Sequence, residues 1–259
     1  MGKVIVISGA SAGIGRTAMQ MLEKKGHTVY NLSRRPTPGN HIKTDVTSPE
    51  DIKNAIKQIY DKEGRIDALI NNAGMGISGA IENTDLANAK RMFDVNFFGA
   101  FNLIREVLPY MRKSGGGTIV NISSAAAKFP LPFQAFYSAS KSALCSLSDA
   151  LRLEVAPFNI KVVSALPGDV KTEFTEKRVK NSHDDSVYGD RVAKSVAIME
   201  RDEMNGMPPE VIGRIIVKLI NSKNPPPFVM GGKQYAFLNF LAKILPYRFV
   251  MYLIGKIYG

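Results

Sequence analysis

Tyr137 and Lys141 stand four residues apart, a spacing that puts both side chains on one face of a helix. Ser124 lies 13 residues before the tyrosine. A phenol with its ordinary pKa near 10 is a poor base at neutral pH. A cation one helical turn away favours the phenolate and brings the hydroxyl into range for proton transfer. A serine hydroxyl nearby can then hydrogen-bond the reacting oxygen. Taken alone, a Tyr/Lys pair at this spacing is most often a solvated helix face, so the chemistry must be supported from elsewhere in the chain.

A second group of residues precedes it. After the apolar run Val4-Ile5-Val6-Ile7 comes Ser8-Gly9-Ala10-Ser11-Ala12-Gly13-Ile14-Gly15, which opens into a helical pattern. Glycines there let the backbone turn tightly and approach a phosphate, whose charge a helix N-terminus favours. The spacing is Gly-x-x-x-Gly-x-Gly, and a tight turn without a ligand is the alternative. A P-loop is excluded because no Gly-Lys-Ser/Thr closes the turn. The second apolar run ends at Ser33-Arg34-Arg35, where an NAD site would carry a carboxylate for the ribose hydroxyls. A guanidinium here binds a 2′-phosphate through charge-assisted contacts worth roughly 1.5–3 kcal/mol each. Arg34 therefore points to NADP(H), against the alternative of two solvated arginines in a turn.

Gly9-x-x-x-Gly13-x-Gly15, Asn71-Asn72-Ala73-Gly74, Asn96, Ser124, Tyr137-x-x-x-Lys141 and Pro167-Gly168-x-Val170-x-Thr172 occur in one order. That ordered set resembles the short-chain dehydrogenases/reductases, closely over about residues 3–172 and loosely beyond. Ser8 stands where the family more often has threonine and keeps the hydroxyl. The resemblance implies a catalytic set of Asn96, Ser124, Tyr137 and Lys141. Tyr137 would be the general acid/base, and Lys141 would depress its pKa and hold the nicotinamide ribose. Ser124 would orient the substrate oxygen, and Asn96 would hold a relay water. It further implies that Gly9, Ser11, Gly13, Ile14 and Gly15 cradle the cofactor and that Asp45 and Val46 contact adenine. Asn72 would lie beside the cofactor, and Val170 and Thr172 would hold its carboxamide end. Two alternatives stay open: Asn72 as a bridge between backbone groups, and Asn96 as a distortion in a helical stretch. Cys145 reads as a small buried apolar residue.

These residues need elements to position them. Apolar runs at Lys3–Ser8, His27–Leu32, Ile66–Ile70, Gly117–Ile122 and Ile160–Ala165 alternate with helical patterns at 14–25, 49–62 and 135–155. Strands that are apolar throughout and separated by helices form a parallel sheet covered on both faces. The expected fold is α/β, a Rossmann-like doubly wound parallel sheet in one domain spanning 1–259. A helical lid at about 171–208, free of strands, and a C-terminal helical extension at about 235–259 complete it. A further strand is expected at Phe228–Met230, after a helix at Val211–Ile220.

Hydrophobic residues make up 45% and charged residues 22% of the chain, which excludes disorder. Cys145 is the only cysteine, so an intrachain disulfide framework is excluded. His27, His41 and His183 are scattered, and no metal site is expected. The N-terminal apolar run is too short for a signal peptide, and no stretch reaches the about eighteen apolar residues of a membrane span. A cytoplasmic location is expected.

The substrate cleft is expected to be bordered by residues 125–136, by Met75 and Ile77, and by Phe174, Met199, Met204 and Met207. Such an apolar, adaptable lining suits a bulky hydrophobic ketone or alcohol. The Leu131-Pro132-Phe133 loop and Glu173-Phe174 resemble the hydroxysteroid and retinol branch of the family. The net charge is +11, of which +7 follows the last acidic residue, Glu210. Within that basic end, two amphipathic patterns meet at Pro246. They are expected to cap the cleft, to make a homo-oligomer contact (dimer or tetramer), or to touch anionic membrane peripherally. Nucleic acid has only the charge in its favour. The leading function is NADP(H)-dependent interconversion of a carbonyl and an alcohol on a steroid- or lipid-like substrate. The rivals are 3-oxoacyl-thioester reduction and, outside enzymes, an NADP(H)-binding redox sensor.

Overall fold

The computed structural model describes residues 2–181 and 185–259, so His183 lies outside the described residues. The chain opens with β1 (Val4–Ser8), α1 (Gly13–Glu23), β2 (Thr28–Ser33), β3 (Asn40–Lys43) and α2 (Pro49–Glu63). β4 (Ala68–Asn71) and the short β5 (Ile77–Ser78) precede α3 (Leu86–Phe93), a π-helical turn at Asp94–Phe98, and α4 (Gly99–Lys113). β6 (Gly117–Ile122), α5 (Ala135–Val155) and β7 (Ile160–Pro167) follow. The remainder holds β8 (Val179–Lys180), α6 (Asp185–Tyr188), α7 (Arg191–Met204), α8 (Pro209–Asn221), β9 (Phe228–Gly231), α9 (Lys233–Ile244) and α10 (Tyr247–Tyr258).

Seven strands form one parallel sheet in the order β3-β2-β1-β4-β6-β7-β9. The strand period of two decides how it is covered. In β1, Val4 and Val6 face a core shared with Ile52 and Ile56 of α2, Leu103 and Val107 of α4, and Leu151 of α5. Ile5 and Ile7 face the opposite core, with Ala18 and Leu22 of α1 and Ile212 and Ile216 of α8. The sheet is therefore doubly wound, as expected. Its order reverses between β1 and β4, and a crevice opens at the carboxyl ends of those strands. The helix starts follow local chemistry. In α2, Ser48 accepts a hydrogen bond from the Asp51 amide at 3.2 Å, Pro49 sits in the first turn, and Gly64 closes the helix at φ +70°.

Three regions differ from expectation. β3 is an edge strand with a single apolar residue, Ile42, too weak a pattern to stand out. The segment before β6 carries a long helical path, whose period is interrupted by the π turn and by Pro109 inside α4. The lid is more ordered than a loop with short helices. Its β8 pairs with β5, Val170 bridges to Met207, and α7 runs 14 residues.

A buried polar ladder crosses the sheet under α5. The Asn71 amide donates to Asn121 Oδ1 at 2.8 Å, Asn121 donates to Ser148 Oγ at 2.7 Å, and Ser148 donates to the Leu144 carbonyl at 2.6 Å. β4, β6 and α5 are thereby held in one register. Asn121→Leu leaves the Asn71 amide without its acceptor, which costs about 1–3 kcal/mol. The expected result is a lower urea midpoint at unchanged m-value, and an unmoved midpoint would show that the ladder adds nothing to stability.

Candidate active site

The turn after β1 is built for close approach. Gly9 has φ +71°, and a Cβ added there would lie 2.8 Å from Ala73 Cα. A Cβ on Gly15 would come within 2.5 Å of Asn72 Nδ2, so Gly15 lies behind the crevice wall and serves packing. Among the described residues nothing caps α1 through a side chain, and its first turn carries no acid. Its leading amides therefore face the crevice as donors for an anion. Ser8 Oγ accepts from the Asn72 and Ala73 amides, each at 3.1 Å. Asn72 Nδ2 donates to the Ser8 and Gly9 carbonyls at 3.1 and 3.0 Å. Asn72 thus bridges the turn to the end of β4 and also lines the crevice.

Arg34 and Arg35 follow β2 on the crevice rim, both exposed, and the Arg35 guanidinium reaches Ser11 Oγ at 3.4 Å. Burial pushes the Asp45 carboxyl up. Hydrogen bonds from Thr47 and the charges of Arg34 and Arg91 outweigh that, and the group ends below the usual carboxylate value.

The residues expected to transfer the proton sit on α5 and just after β6. Lys141 is buried, its Nζ donating to the Ile122 carbonyl at 2.9 Å and lying 5.9 Å from the centre of the Tyr137 ring. Ser123 Oγ donates to the Lys141 carbonyl at 2.9 Å, pinning the helix to the strand end. Burial pushes the Tyr137 phenol up to about 12, with the Ser124 hydroxyl pulling the other way. Burial also pulls Lys141 down to about 8. Desolvation is the largest cause in both groups, so the phenol lies above its ordinary value and the amine below. The phenol stays protonated across neutral pH, which suits a proton donor.

Asn96 occupies the π turn, so the distortion is real. Its Oδ1 accepts from the Met75 amide at 2.8 Å, and Nδ2 donates to the Met75 carbonyl at 3.0 Å and to Ser140 Oγ at 3.1 Å. Ser140 in turn donates to the Tyr137 carbonyl at 2.8 Å. The Asn96 side chain therefore fastens the loop after β4 to α5, and both of its amide hydrogens are used. A methyl on Gly74 would meet Asn96 Oδ1 at 3.4 Å and Lys141 Nζ at 3.5 Å, so three segments converge there.

Most of these groups border one cleft of about 2200 Å³. Gly9, Ser11, Gly13, Ile14, Arg34, Asp45, Val46, Asn72, Ser124, Tyr137, Lys141, Val170 and Thr172 line it, whereas Gly15 and Asn96 stand behind it. Phe174 of the lid lies 5.8 Å from the Tyr137 ring, centre to centre. Met75 and Met207 line the cleft, but Ile77 and Met199 are buried in packing and Met204 faces solvent. Three side chains went unread in the sequence. Asp169 occupies the unspecified position of the Pro167-Gly168-x-Val170 motif and accepts a hydrogen bond from the Tyr235 hydroxyl. Arg178 is buried and paired with Glu203, which also accepts from Thr175 Oγ1 at 2.6 Å. Leu241, Leu245, Val250 and Ile254 of α9 and α10 close the far wall.

Comparison with known proteins matches this arrangement. The family described as short chain dehydrogenase matches residues 3–183. A 3-ketodihydrosphingosine reductase of Bacteroides thetaiotaomicron is 43% identical over 86% of each chain. The NADPH-dependent 1-acyldihydroxyacetone phosphate reductase of Saccharomyces cerevisiae is 33% identical over 95% of this chain and 87% of its own. Among solved structures, a short-chain dehydrogenase from Streptomyces avermitilis superposes with a TM-score of 0.83 at 29% identity, covering 94% of this chain and 93% of that one.

The buried lysine carries a stability signature. Its pKa falls from the ordinary 10.5 to about 8 on folding, so the unfolded chain binds the extra proton between those values. The resulting penalty is fully present below about pH 8 and fades as pH rises toward 10.5. Lys141→Met is expected to stabilise the fold at pH 7 by up to about 3 kcal/mol, less the lost bond to Ile122. Denaturant midpoints across this range should show the gain shrinking with rising pH, and a pH-independent gain would contradict a buried, partly discharged amine.

Proposed function

The chain belongs to the short-chain dehydrogenase family, and from that premise we propose that it uses NADP(H) to reduce the ketone of a long-chain lipid. The observation that carries this reading is the apolar wall that α9 and α10 add to a cleft of about 2200 Å³ shared with the glycine turn and the two arginines. The cleft runs from the bare N-terminus of α1 and the two arginines to that wall.

The residues fit a dinucleotide. Gly9 and Gly13 leave a cradle that a Cβ would fill, the leading α1 amides would donate to a phosphate, and Arg34 would supply a cation for a 2′-phosphate. When bound, the nicotinamide cofactor supplies the hydride. The protein supplies position and proton. Ser124 holds the carbonyl oxygen, and Tyr137, kept protonated by burial, donates its proton to that oxygen as negative charge develops there. Lys141 has its amine on the Ile122 carbonyl and 5.9 Å from the centre of the tyrosine ring, and would hold the ribose hydroxyls of a bound cofactor.

The apolar far wall and the keto-lipid names of both relatives favour an acyl-chain ketone over a steroid ring or a thioester. NADPH appears in the yeast relative's name and agrees with Arg34. Exposed Phe98, Phe101 and Leu153, on or beside α4 and α5, suit a homo-oligomer contact. Among the described residues no helix is long and apolar enough to cross a membrane, and a cytoplasmic or membrane-peripheral site of action is the reading adopted.

Two variants test the assignment. Tyr137→Phe is expected to keep NADPH affinity and lower kcat by about 10²–10⁴-fold on a long-chain keto lipid, and undiminished turnover would remove the mechanism. Arg34→Ala is expected to cut the preference for NADPH over NADH by about tenfold to a hundredfold. Steady-state rates with both cofactors, over keto-lipid, steroid and acyl-thioester substrates, read both effects and the substrate class.

A further inference from the structure

α9 and α10 contain no fully buried residue, yet both are rich in large apolar side chains. Their inner faces supply the far wall of the cleft. On the outer faces, Phe240, Ile244, Tyr247, Phe249 and Tyr252 keep between 47% and 68% of their surface exposed. The helices do not dangle. The Tyr235 hydroxyl donates to Asp169, the Tyr258 hydroxyl donates to Asp202 at 3.2 Å, and Ser195 Oγ donates to the Tyr258 carbonyl at 2.5 Å. The apolar face is thus a fixed surface of the molecule. Cations border it: Lys243, Arg248 and Lys256 lie on the same two helices, and Lys256 Nζ sits 5.8 Å from the centre of the Tyr252 ring. No acid follows Glu210 in the chain.

We infer that this face docks on an anionic lipid bilayer. Exposed aromatics beside lysine and arginine are the composition of an interfacial helix, with the rings at the headgroup boundary and the cations on lipid phosphates. A second copy of the chain is a poorer occupant. A two-fold contact sets this patch against its own image, bringing three cations against three with no carboxylate on either helix to neutralise them. Docking by the outer faces sets the cleft wall, one helix thick, directly against the bilayer. An acyl chain can then pass from membrane to cleft between α9 and α10 without crossing water. This last step rests on the lipid-substrate reading, whereas the docking itself does not.

Sedimentation of the full-length protein with vesicles tests docking apart from catalysis. The protein is expected to pellet with a phosphatidylcholine–phosphatidylglycerol mixture, to stay in solution with phosphatidylcholine alone, and to be released by salt. The triple variant Lys243→Glu, Arg248→Glu, Lys256→Glu, outside the cleft lining, should lower partitioning by about a hundredfold or more. Its turnover of a short, water-soluble ketone should remain that of the parent. Recovery in the supernatant with both vesicle types would overturn the inference, as would unchanged binding by the triple variant. A dimer by analytical ultracentrifugation that becomes monomeric on Phe240→Ser and Tyr252→Ser, with vesicle binding intact, would assign the face to a second copy instead. Vesicle binding without turnover of any ketone would sink the functional reading and leave the docking standing.

Discussion

Taking a lysine ammonium out of water is the costly constraint around which this active site is arranged. Lys141 reaches its place because α5 is held against the carboxyl end of β6 by more than apolar packing. The Ile122 carbonyl accepts from the amine, Ser123 clasps the Lys141 carbonyl, and the Asn71–Asn121–Ser148 ladder locks the helix to two strands beneath it. Asn96 ties the neighbouring loop to the same helix through Ser140. Only a helix fixed this firmly can keep a charge-bearing group at a desolvated site, because any slack would let the amine escape to solvent. Tyr137, one turn earlier on α5, inherits its position from the same supports.

How much of this was readable beforehand followed the physics of each residue. The strand β1, buried on both faces, announces itself by the unbroken apolar run Val4-Ile5-Val6-Ile7. α5 carried its own motif. The edge strand Asn40–Lys43 had one apolar residue to offer, and the path from Leu86 to Lys113 lost its period at the π turn. Asn96 was picked out by resemblance, but its work for the Met75 loop depends on contacts 21 residues away in sequence. The burial that raises the Tyr137 phenol was not readable either, because spacing on a helix reveals proximity and says nothing of desolvation. Asp169 was invisible for a similar reason, since its partner Tyr235 lies 66 residues downstream.

The positive charge that dominates the composition is divided by the fold. Arg34 and Arg35 line the cleft near the α1 end beside Asp45, and Asp169, Asp202 and Glu203 line it together with Lys177 and Arg214. Charges of both signs therefore meet along the cleft, although the chain as a whole is strongly basic. Of the cations on the C-terminal helices, Lys233 also lines the cleft, whereas Lys243, Arg248 and Lys256 lie outside it.

The contact between Gly168 and Tyr235 has a wider consequence. A methyl at Gly168 would stand 1.9 Å from the ring, so the loop that carries Val170 and Thr172 and the first turn of α9 fit as a key fits one lock. Beyond that contact, Tyr235 packs against the small cluster of Leu166 and Met230, and the two last helices are otherwise joined to the body through tyrosine hydroxyls and the Ser195–Tyr258 bond, apart from the two main sheet cores. Such an attachment makes the far wall of the cleft an exchangeable part. Natural variation could reshape it while Tyr137 and the glycine turn after β1 stay as they are, provided a flat ring still meets Gly168.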